Sequence, residues 1–310
     1  MEWMQYMFFR NKRSILAVLA SAILVCGACG AETAGTIEPG ASETTLSVVY
    51  PASGAALRID TDLPGMLRLV GAGGSDFVSG TVQYSNSSWQ PSVKTNAGSV
   101  DMVQSGRITS TASPDFQNLW KLRVGDSQPF SLNIHNGQAE GHWNFSGLPI
   151  TSLHAELGAA KNAFTFDEPN PTTMQSCELR CGKGEVVVES IPYASCRSMV
   201  VEAGEGSLTL RFGSKQMLQG MTIAVRCGSG PVSIALAPQI PARVTVSGNG
   251  QPGRTTWGDG LQKTAGTVTT ASYQTASYQT SSYSGAQGKT VEIEVTGGTG
   301  TVSLSVLSMQ

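Results

Sequence analysis

The chain reads LRCGKGEVVVES at residues 179–190, VEAGEGSLTLRF at 201–212 and VRCGSGPVSIAL at 225–236. In each stretch apolar and polar residues alternate, a G-x-G interrupts the alternation, and the alternation then resumes. Alternation with period two on both sides of a glycine turn predicts two strands that each bury one face. We call one such strand–turn–strand unit a coil.

The coil recurs from residue 130 to the end of the chain. The aligned segments are Ile134–Phe145, Ala155–Phe166, Leu179–Ser190, Val201–Phe212, Val225–Leu236 and Val295–Val306. The turn glycines are Gly137, Gly158, Gly182, Gly204, Gly228, Gly248 and Gly298, spaced by 21, 24, 22, 24, 20 and 50 residues. No segment keeps the 3.6-residue period of a helix, so the chain is predicted to be all-β. A coil repeat of about 20–24 residues predicts a parallel β-solenoid, a β-helix-like rack of strands with G-x-G turns.

Equivalent positions of successive coils are expected to stack in columns. Six residues after the turn glycine stand Trp143, Phe164, Val188, Leu210, Ile234 and Leu304, and three residues before it stand Ile134, Ala155, Leu179, Val201, Val225 and Val295. Stacked about 4.8 Å apart, these apolar columns would form a continuous core. Glycine is expected at the corner because it tolerates both a positive φ angle and a close approach of backbones. The recurrence argues against a dinucleotide site, which needs a single G-x-G-x-x-G between a strand and a helix.

A charged column lies two residues before the turn glycines. It consists of His135, Glu156, Arg180, Glu202 and Arg226, so the signs alternate along the coils. If the coils stack in register, each charge lies about 4.8 Å from neighbours of opposite sign. Exposed ion pairs contribute roughly 0–1 kcal/mol each, so we expect a modest role in stability rather than a ligand site.

The N-terminal sequence predicts that the protein is located outside the cytoplasm. Residues 1–29 have the form of a lipoprotein signal peptide, with a basic region followed by an apolar run at 15–25 that is too short to span a bilayer. Two small residues precede Cys29, as in a bacterial lipobox, so Cys29 is the predicted lipidation site. The protein is therefore expected to be extracytoplasmic and bound to the membrane through a lipid anchor.

The segment 30–45 predicts a flexible tether. It contains almost no bulky apolar residue, and a flexible chain of this length spans about 20–25 Å. The alternative to lipidation is ordinary secretion, with cleavage after Gly30 or Ala31.

Two regions depart from the regular repeat. Residues 46–129 alternate less regularly and predict an N-terminal β cap, ahead of the solenoid repeats at 130–310. An insertion at about 260–287 contains TASYQ twice and then TSSYS. Its tyrosines are Tyr273, Tyr278 and Tyr283. A five-residue period cannot keep them on one face of a strand, so the insertion is predicted to be an exposed polar loop.

The amino-acid composition and the net charge argue against two classes of binding partner. Only 14% of the residues are charged, and 20 basic against 22 acidic side chains give a net charge of −2. Such a balance gives no electrostatic footprint for nucleic acid and no basic face for anionic lipid.

The sequence offers no catalytic, metal or cofactor site. There is no G-x-S-x-G, the acidic residues are scattered, and the three histidines fall on outward positions. His135, His142 and His154 are therefore interpreted as solvated surface residues, and the chain is predicted not to be an enzyme.

Four cysteines remain outside the lipobox region: Cys177, Cys181, Cys196 and Cys227. Cys181 and Cys227 occupy the same inward position two coils apart, about 9–10 Å, which is too far for a disulfide. These two are interpreted as small buried hydrophobes, and Cys177 with Cys196 remains a pair able to form a disulfide. A zinc site is not expected, because no C-x-x-C spacing occurs.

Several motifs resemble the toast-rack family of adhesin-like domains from bacterial cell envelopes. They are NLWKL at 118–122, PFSL at 129–132, SGL at 146–148 and the recurring strand–G-x-G–strand units, and the resemblance extends over about 46–306. It implies an all-β rack of strands and brings no catalytic residues to carry over. The insertion at 260–287 departs from the compact last repeat of the family.

Together these features favour a membrane-anchored lipoprotein that serves as a non-enzymatic interaction or structural module of the cell envelope. Its partner would be an envelope protein or glycan, in an adhesin-like or envelope-stress-sensing role. The alternative is a carbohydrate-binding or carbohydrate-processing β-helix protein. A hydrolase of that kind would need a groove lined by at least two carboxylates.

Overall fold

Two long sheets enclose one hydrophobic core in the computed structural model. The structure describes residues 42–106, 117–213, 217–249, 255–270, 273–286 and 288–307, all within the unit Ile37–Gln310. Besides strands, these residues form three short 3-10 helices, Ser87–Trp89, Ile191–Ala194 and Tyr283–Gly285. The architecture of the described residues is therefore all-β, as predicted.

The first sheet has eleven strands among the described residues. In spatial order they are β1 (Ser42–Val49), β4 (Asp76–Tyr84), β7 (Asn118–Gly125), β3 (Gly65–Ala72), β9 (Ala139–Asn144), β11 (Asn162–Thr165), β13 (Val186–Glu189), β15 (Leu208–Phe212), β17 (Val232–Leu236), β23 (Val302–Val306) and β19 (Thr255–Trp257).

The second sheet has twelve strands over the same part of the chain. In spatial order they are β20 (Leu261–Thr270), β21 (Tyr273–Thr280), β18 (Ala242–Asn249), β22 (Val291–Thr296), β16 (Met221–Arg226), β14 (Ser198–Glu202), β12 (Ser176–Cys181), β10 (Ile150–Leu157), β8 (Phe130–Asn136), β2 (Ala56–Thr61), β6 (Ser99–Gln104) and β5 (Ser92–Thr95). Each coil from β8 to β17 places its first strand in this sheet and its second strand in the first sheet.

The predicted apolar columns are confirmed. In the first sheet Trp143 pairs with Phe164, Phe164 with Val188, Val188 with Leu210, Leu210 with Ile234 and Ile234 with Leu304. The second sheet stacks Ile134, Ala155, Leu179, Val201, Val225 and Val295 in the same way. Every residue of the first-sheet column is at most 1% exposed. Full burial of such a side chain stabilises by about 1.5–3 kcal/mol, so the two columns are a large and continuous contribution to the core.

The turn glycines are required by close packing of successive turns. A Cβ on Gly206 would lie 1.9 Å from the carbonyl oxygen of Gly184, and one on Gly230 would lie 1.8 Å from that of Gly206. The expectation of a positive φ is wrong for these turns, since Gly298 is the one turn glycine that has it, at +80°. Glycine is needed here because it lacks a Cβ, not because of its backbone angles.

Gly248 is not a turn glycine of the stack. It lies inside β18, where it pairs with Gln274, and a Cβ on it would meet nothing within 4 Å. Strands β18 and β19 nevertheless form another coil, because β18 is parallel to β22 in the second sheet and β19 is parallel to β23 in the first. This coil does not lie next to β16 and β17, since β22 and β23 occupy the places beside those two strands.

The region 46–129, predicted as a cap, supplies strands to both sheets. Strands β2 and β3 form a further coil, parallel to β8 and β9 respectively. Strands β6 and β7 are still parallel to β2 and β3. Beyond them the pairing becomes antiparallel, with β4 between β1 and β7 and with β5 against β6. Antiparallel strands thus form the N-terminal edge of each sheet.

The segment predicted as an exposed polar loop forms a hairpin instead. Strands β20 and β21 are antiparallel to each other, and β21 is antiparallel to β18. Tyr278 is only 2% exposed and packs at the end of the core. The five-residue period does separate the tyrosines, because Tyr283 lies in a 3-10 helix, but one buried tyrosine is enough to anchor the hairpin.

Candidate functional site

The outer face of the second sheet carries the charged column in the predicted register. Arg180 Nη1 donates a hydrogen bond of 3.0 Å to Glu156, and its Nε lies 3.6 Å from a carboxylate oxygen of Glu202. Arg226 Nη1 donates to the other oxygen of Glu202 at 2.6 Å. His135 Nδ1 lies 3.5 Å from Glu156. The alternating signs therefore form a continuous ladder of ion pairs.

A second column broadens this ladder. His154 lies 3.4 Å from Glu156 and 3.2 Å from Glu178, and Glu178 lies 2.8 Å from Arg180. At the N-terminal end the ladder continues from His135 to Asp62, 3.0 Å away. Each charge is matched by neighbours on the adjacent strands, so the ladder leaves little uncompensated charge for a ligand.

Two groups of the ladder have shifted pKa values. Partial burial lowers the pKa of His135, but the hydrogen bond to Asp62 and the charge of Asp60 outweigh it and raise the pKa above 6.5. Desolvation raises the pKa of Glu156, while hydrogen bonds with His154, Arg180 and His135 outweigh it and lower the pKa below 4.5. Both shifts stabilise the charged forms.

The histidines have acidic neighbours rather than open coordination positions. His142 Nε2 lies 3.2 Å from Glu140, and the other two histidines belong to the ladder. Over the described ranges no group of three or more His, Cys, Asp or Glu side chains is arranged to hold a metal ion.

The four cysteines of the repeats are free thiols in the structure. Cys177 and Cys196, the pair for which the sequence left a disulfide open, are both buried and carry no disulfide here. Desolvation raises the pKa of Cys196 to about 12 and that of Cys177 well above its usual value. Because the thiolate is the reactive form, these thiols should be inert at neutral pH. Leu157 pairs with Cys181 in the inward column, which fits a hydrophobic role for Cys181.

Cys29 and the signal peptide at 1–29 lie outside the described residues. In the part of the chain that the structure does describe, no helix is long and apolar enough to cross a membrane.

The first sheet carries a basic row that the sequence pattern did not reveal. Arg68 of β3 pairs in register with Lys121 of β7 on one side and with His142 of β9 on the other. Arg123 lies two residues beyond Lys121 on the same face of β7. Alternation around Arg68 and Lys121 indicates that both point outward, but only the strand order shows that they are neighbours.

A third cluster lies near the C-terminal end of the rack. Arg243 Nε donates to Glu292 at 2.8 Å and lies over the Tyr283 ring at 5.3 Å, while the Tyr283 hydroxyl donates to Glu292 at 2.6 Å. Arg243 and Tyr283 thus both donate to Glu292, so the polar groups of this cluster bind one another, which indicates a structural role.

Residues 55–189 match the family described as the N-terminal domain of toast_rack (DUF2154). The matched segment is less than half of the chain and contains β3, β7 and the first coils of the ladder. Its match supports the toast-rack resemblance over that range. No curated protein matches the chain.

Two solved structures resemble the chain over most of its length. One is described as a "putative cell adhesion protein" from Clostridium sporogenes, 14% identical, covering 86% of this chain and 100% of its own, with a TM-score of 0.42. The other is described as a "putative adhesin" from Bacteroides fragilis, 10% identical, covering 87% of this chain and 99% of its own, with a TM-score of 0.36. Similarity at this level says nothing about what this chain binds.

Proposed function

We propose that this protein is a lipid-anchored, extracytoplasmic interaction module of the bacterial cell envelope, without enzymatic activity. The observation that carries the proposal is the exposed face of the first sheet. Its eleven hydrogen-bonded strands, at about 4.8 Å per strand, give a rigid surface roughly 50 Å long. An extended face of charged and hydroxyl side chains suits the holding of another molecule better than its chemical conversion.

The finer architecture belongs to the same proposal. The coils whose strands alternate between the sheets form a parallel β-solenoid, closed at its N-terminal edge by antiparallel strands and at its C-terminal end by the β20–β21 hairpin. Successive coils contact mainly their neighbours, so such a rack can extend a binding face without a larger core.

Attachment to the membrane rests on Cys29. Two small residues precede this cysteine, and a multiply acylated N-terminus gives lasting attachment where one acyl chain would not. The predicted tether at 30–45 is too long by four residues, because Ser42–Thr45 belong to β1 and pair with β4. The twelve residues 30–41 would hold the rack within about 17–21 Å of the lipid surface.

Carbohydrate processing is less well supported by the geometry. A shallow cavity of about 260 Å³ lies beside Arg123, and its lining includes a single carboxylate, Asp76. Glycoside hydrolysis ordinarily requires two carboxylates flanking the bond to be cleaved.

Metabolic labelling with a fatty acid tests the anchor. Label should be incorporated into the wild-type protein and into Cys26→Ala, and it should be absent from Cys29→Ala. Membrane sedimentation of the same three proteins should follow the label. Retention of label in Cys29→Ala, or release of the labelled wild type into the medium, would refute the proposed attachment.

A further inference from the structure

The basic row on the first sheet brings like charges together. Arg68 and Lys121 are paired in register on adjacent strands, about 4.8 Å apart along the sheet, and His142 follows on the other side of Arg68. Arg68 and Arg123 are exposed, and Lys121 is half-buried. No carboxylate of the described residues forms an ion pair with Arg68, Lys121 or Arg123.

Elsewhere on the sheets, arginines are matched with acids. Arg180 and Arg226 lie against glutamates of the next strand, and Arg211 on the first sheet lies 2.7 Å from Glu189. Like charges directly opposite one another on adjacent strands are destabilising. The basic row therefore lowers stability, unless an anion from outside the chain compensates it.

The surroundings of the row form a shaped surface. Arg123 lines the cavity of about 260 Å³ together with Ser79, Asp76 and the glycine-rich loop at 72–75. The Asp76 carboxylate accepts a hydrogen bond of 2.8 Å from Ser47 and keeps acceptor capacity for another donor. A guanidinium, a carboxylate and a hydroxyl thus converge on one concavity.

Serine and threonine side chains extend this face from Lys121 and from Arg123 onto the neighbouring strands. Lys121 pairs with Thr81 and then Thr45, and Arg123 pairs with Ser79 and then Ser47. These residues lie on β4 and β1, so the basic and hydroxyl-bearing parts form one continuous outer face.

We infer that this face binds an acidic polysaccharide. Carboxylate or phosphate groups of the polymer pair with Arg68, Lys121 and Arg123, which lie together on one face and form no ion pair with a carboxylate of the described residues. Sugar hydroxyls donate to Asp76 and exchange hydrogen bonds with the serine and threonine hydroxyls. The guanidinium fork suits carboxylate and phosphate equally well, so the shared chemistry is an anionic group on a hydroxyl-rich chain.

The same features distinguish this ligand from other polyanions. The Asp76 carboxylate, which lines the cavity, accepts a hydrogen bond from a sugar hydroxyl, and the backbone of double-stranded DNA has no such hydroxyl along its length. Among the described residues the exposed aromatic side chain on the first sheet is Trp257, which lies at the opposite end of the sheet from the basic row, where a base bound to that row could not stack on it. This inference rests on the proposed function only in placing the face where envelope polysaccharides can reach it.

Binding to defined polymers tests the inference. The detergent-solubilised full-length protein is titrated with polygalacturonate, with a glycerol-phosphate polymer and with neutral dextran, and binding is followed calorimetrically at several salt concentrations. At least one of the acidic polymers should bind, dextran should not, and binding should weaken steeply as salt screens the charges.

The variant carries Arg68→Gln, Lys121→Gln and Arg123→Gln together. The matched control carries Lys94→Gln, Arg197→Gln and Lys289→Gln, which alters the net charge equally at exposed positions outside the first sheet. Loss of three exposed charge pairs should weaken binding by about 10- to 100-fold in the first variant and leave the control near wild type. Both variants should melt cooperatively.

Three outcomes would overturn the inference: no binding to either acidic polymer, equal loss in both variants, or binding to phosphatidylglycerol vesicles that depends on the same three residues while the polymers do not bind. Fatty-acid labelling at Cys29 is read separately. If the polymers do not bind but labelling is intact, the polysaccharide inference is wrong and the proposed lipid anchor stands. If labelling is lost but the polymers bind, the lipid anchor is wrong and the polysaccharide inference stands.

Discussion

Gly206 lies at the centre of the stacked turns, and replacing it by alanine tests the close-packing argument directly. The added Cβ would lie 1.9 Å from the carbonyl oxygen of Gly184, a backbone atom with no rotamer to move away. The next turn is held equally tightly, because a Cβ on Gly230 would lie 1.8 Å from the carbonyl oxygen of Gly206. The steric overlap can therefore be relieved only if one turn moves away from the next.

The expected loss follows from the bonds that such a separation would break. The amides of Glu205 and Gly206 both donate to the carbonyl of Gly182, at 3.0 and 3.1 Å. A separation of about 1 Å takes both beyond hydrogen-bonding distance. Two lost hydrogen bonds cost about 1–3 kcal/mol, and residual overpacking adds about 1–3 kcal/mol. Alanine also lowers the conformational entropy of the unfolded chain, which stabilises the protein by about 0.4–1 kcal/mol and leaves a net loss of about 1–6 kcal/mol.

The control is Gly248→Ala. Its Cβ would meet nothing within 4 Å and its φ is not positive, so the same substitution should change the free energy of unfolding by less than about 1 kcal/mol. Urea unfolding followed by circular dichroism gives both free energies, provided the m-values agree with that of the wild type. Equal stability of Gly206→Ala and Gly248→Ala would refute the close approach of the turns.

Two further predictions concern the charged ladder. Glu202→Arg places three arginines in a row with Arg180 and Arg226, so it should lower the free energy of unfolding by about 1–2 kcal/mol at low salt and by less at high salt; a loss that ignores salt would count against the ladder. His135 has a raised pKa, so its contribution is complete below pH 6.5 and disappears as pH rises through the folded-state value. His135→Gln should therefore destabilise by up to about 1 kcal/mol at pH 5.5, where Glu156 is also charged, and by less at pH 8.5; a difference that does not change with pH would contradict the ion pair.

The repeated part of the fold could be read directly from the sequence. Coils of nearly equal length bring residues of the same repeat position together, so the spacing of the turn glycines gave the register of Leu210 between Val188 and Ile234. The alternating signs of Glu156, Arg180 and later members followed from the same register. Local pattern is sufficient here because each coil contacts the next coil along the chain.

Longer-range pairing could not be read in this way. Strand β22 lies between β16 and β18, so the chain passes to the outer end of the rack after β17 and returns more than 50 residues later to the place beside β16. Within this excursion TASYQTASYQT resembles a polar loop, and only its pairing with β18 and the burial of Tyr278 make it a strand. The prediction of positive φ angles at the turns is wrong for the same kind of reason, because a glycine in the sequence does not show whether its position needs a left-handed backbone or has no room for a Cβ.

Sequence by itself thus determined the all-β class, the core columns and the charge ladder, since all three depend on a short period that repeats along the chain. Tertiary structure alone decided the basic row. Arg68 and Lys121 are 53 positions apart, and they become neighbours because β7 lies between β3 and β4, while β5 and β6 belong to the other sheet. Charges that are balanced over the whole chain can still be concentrated locally, because strand order, and not composition, decides which side chains share a face.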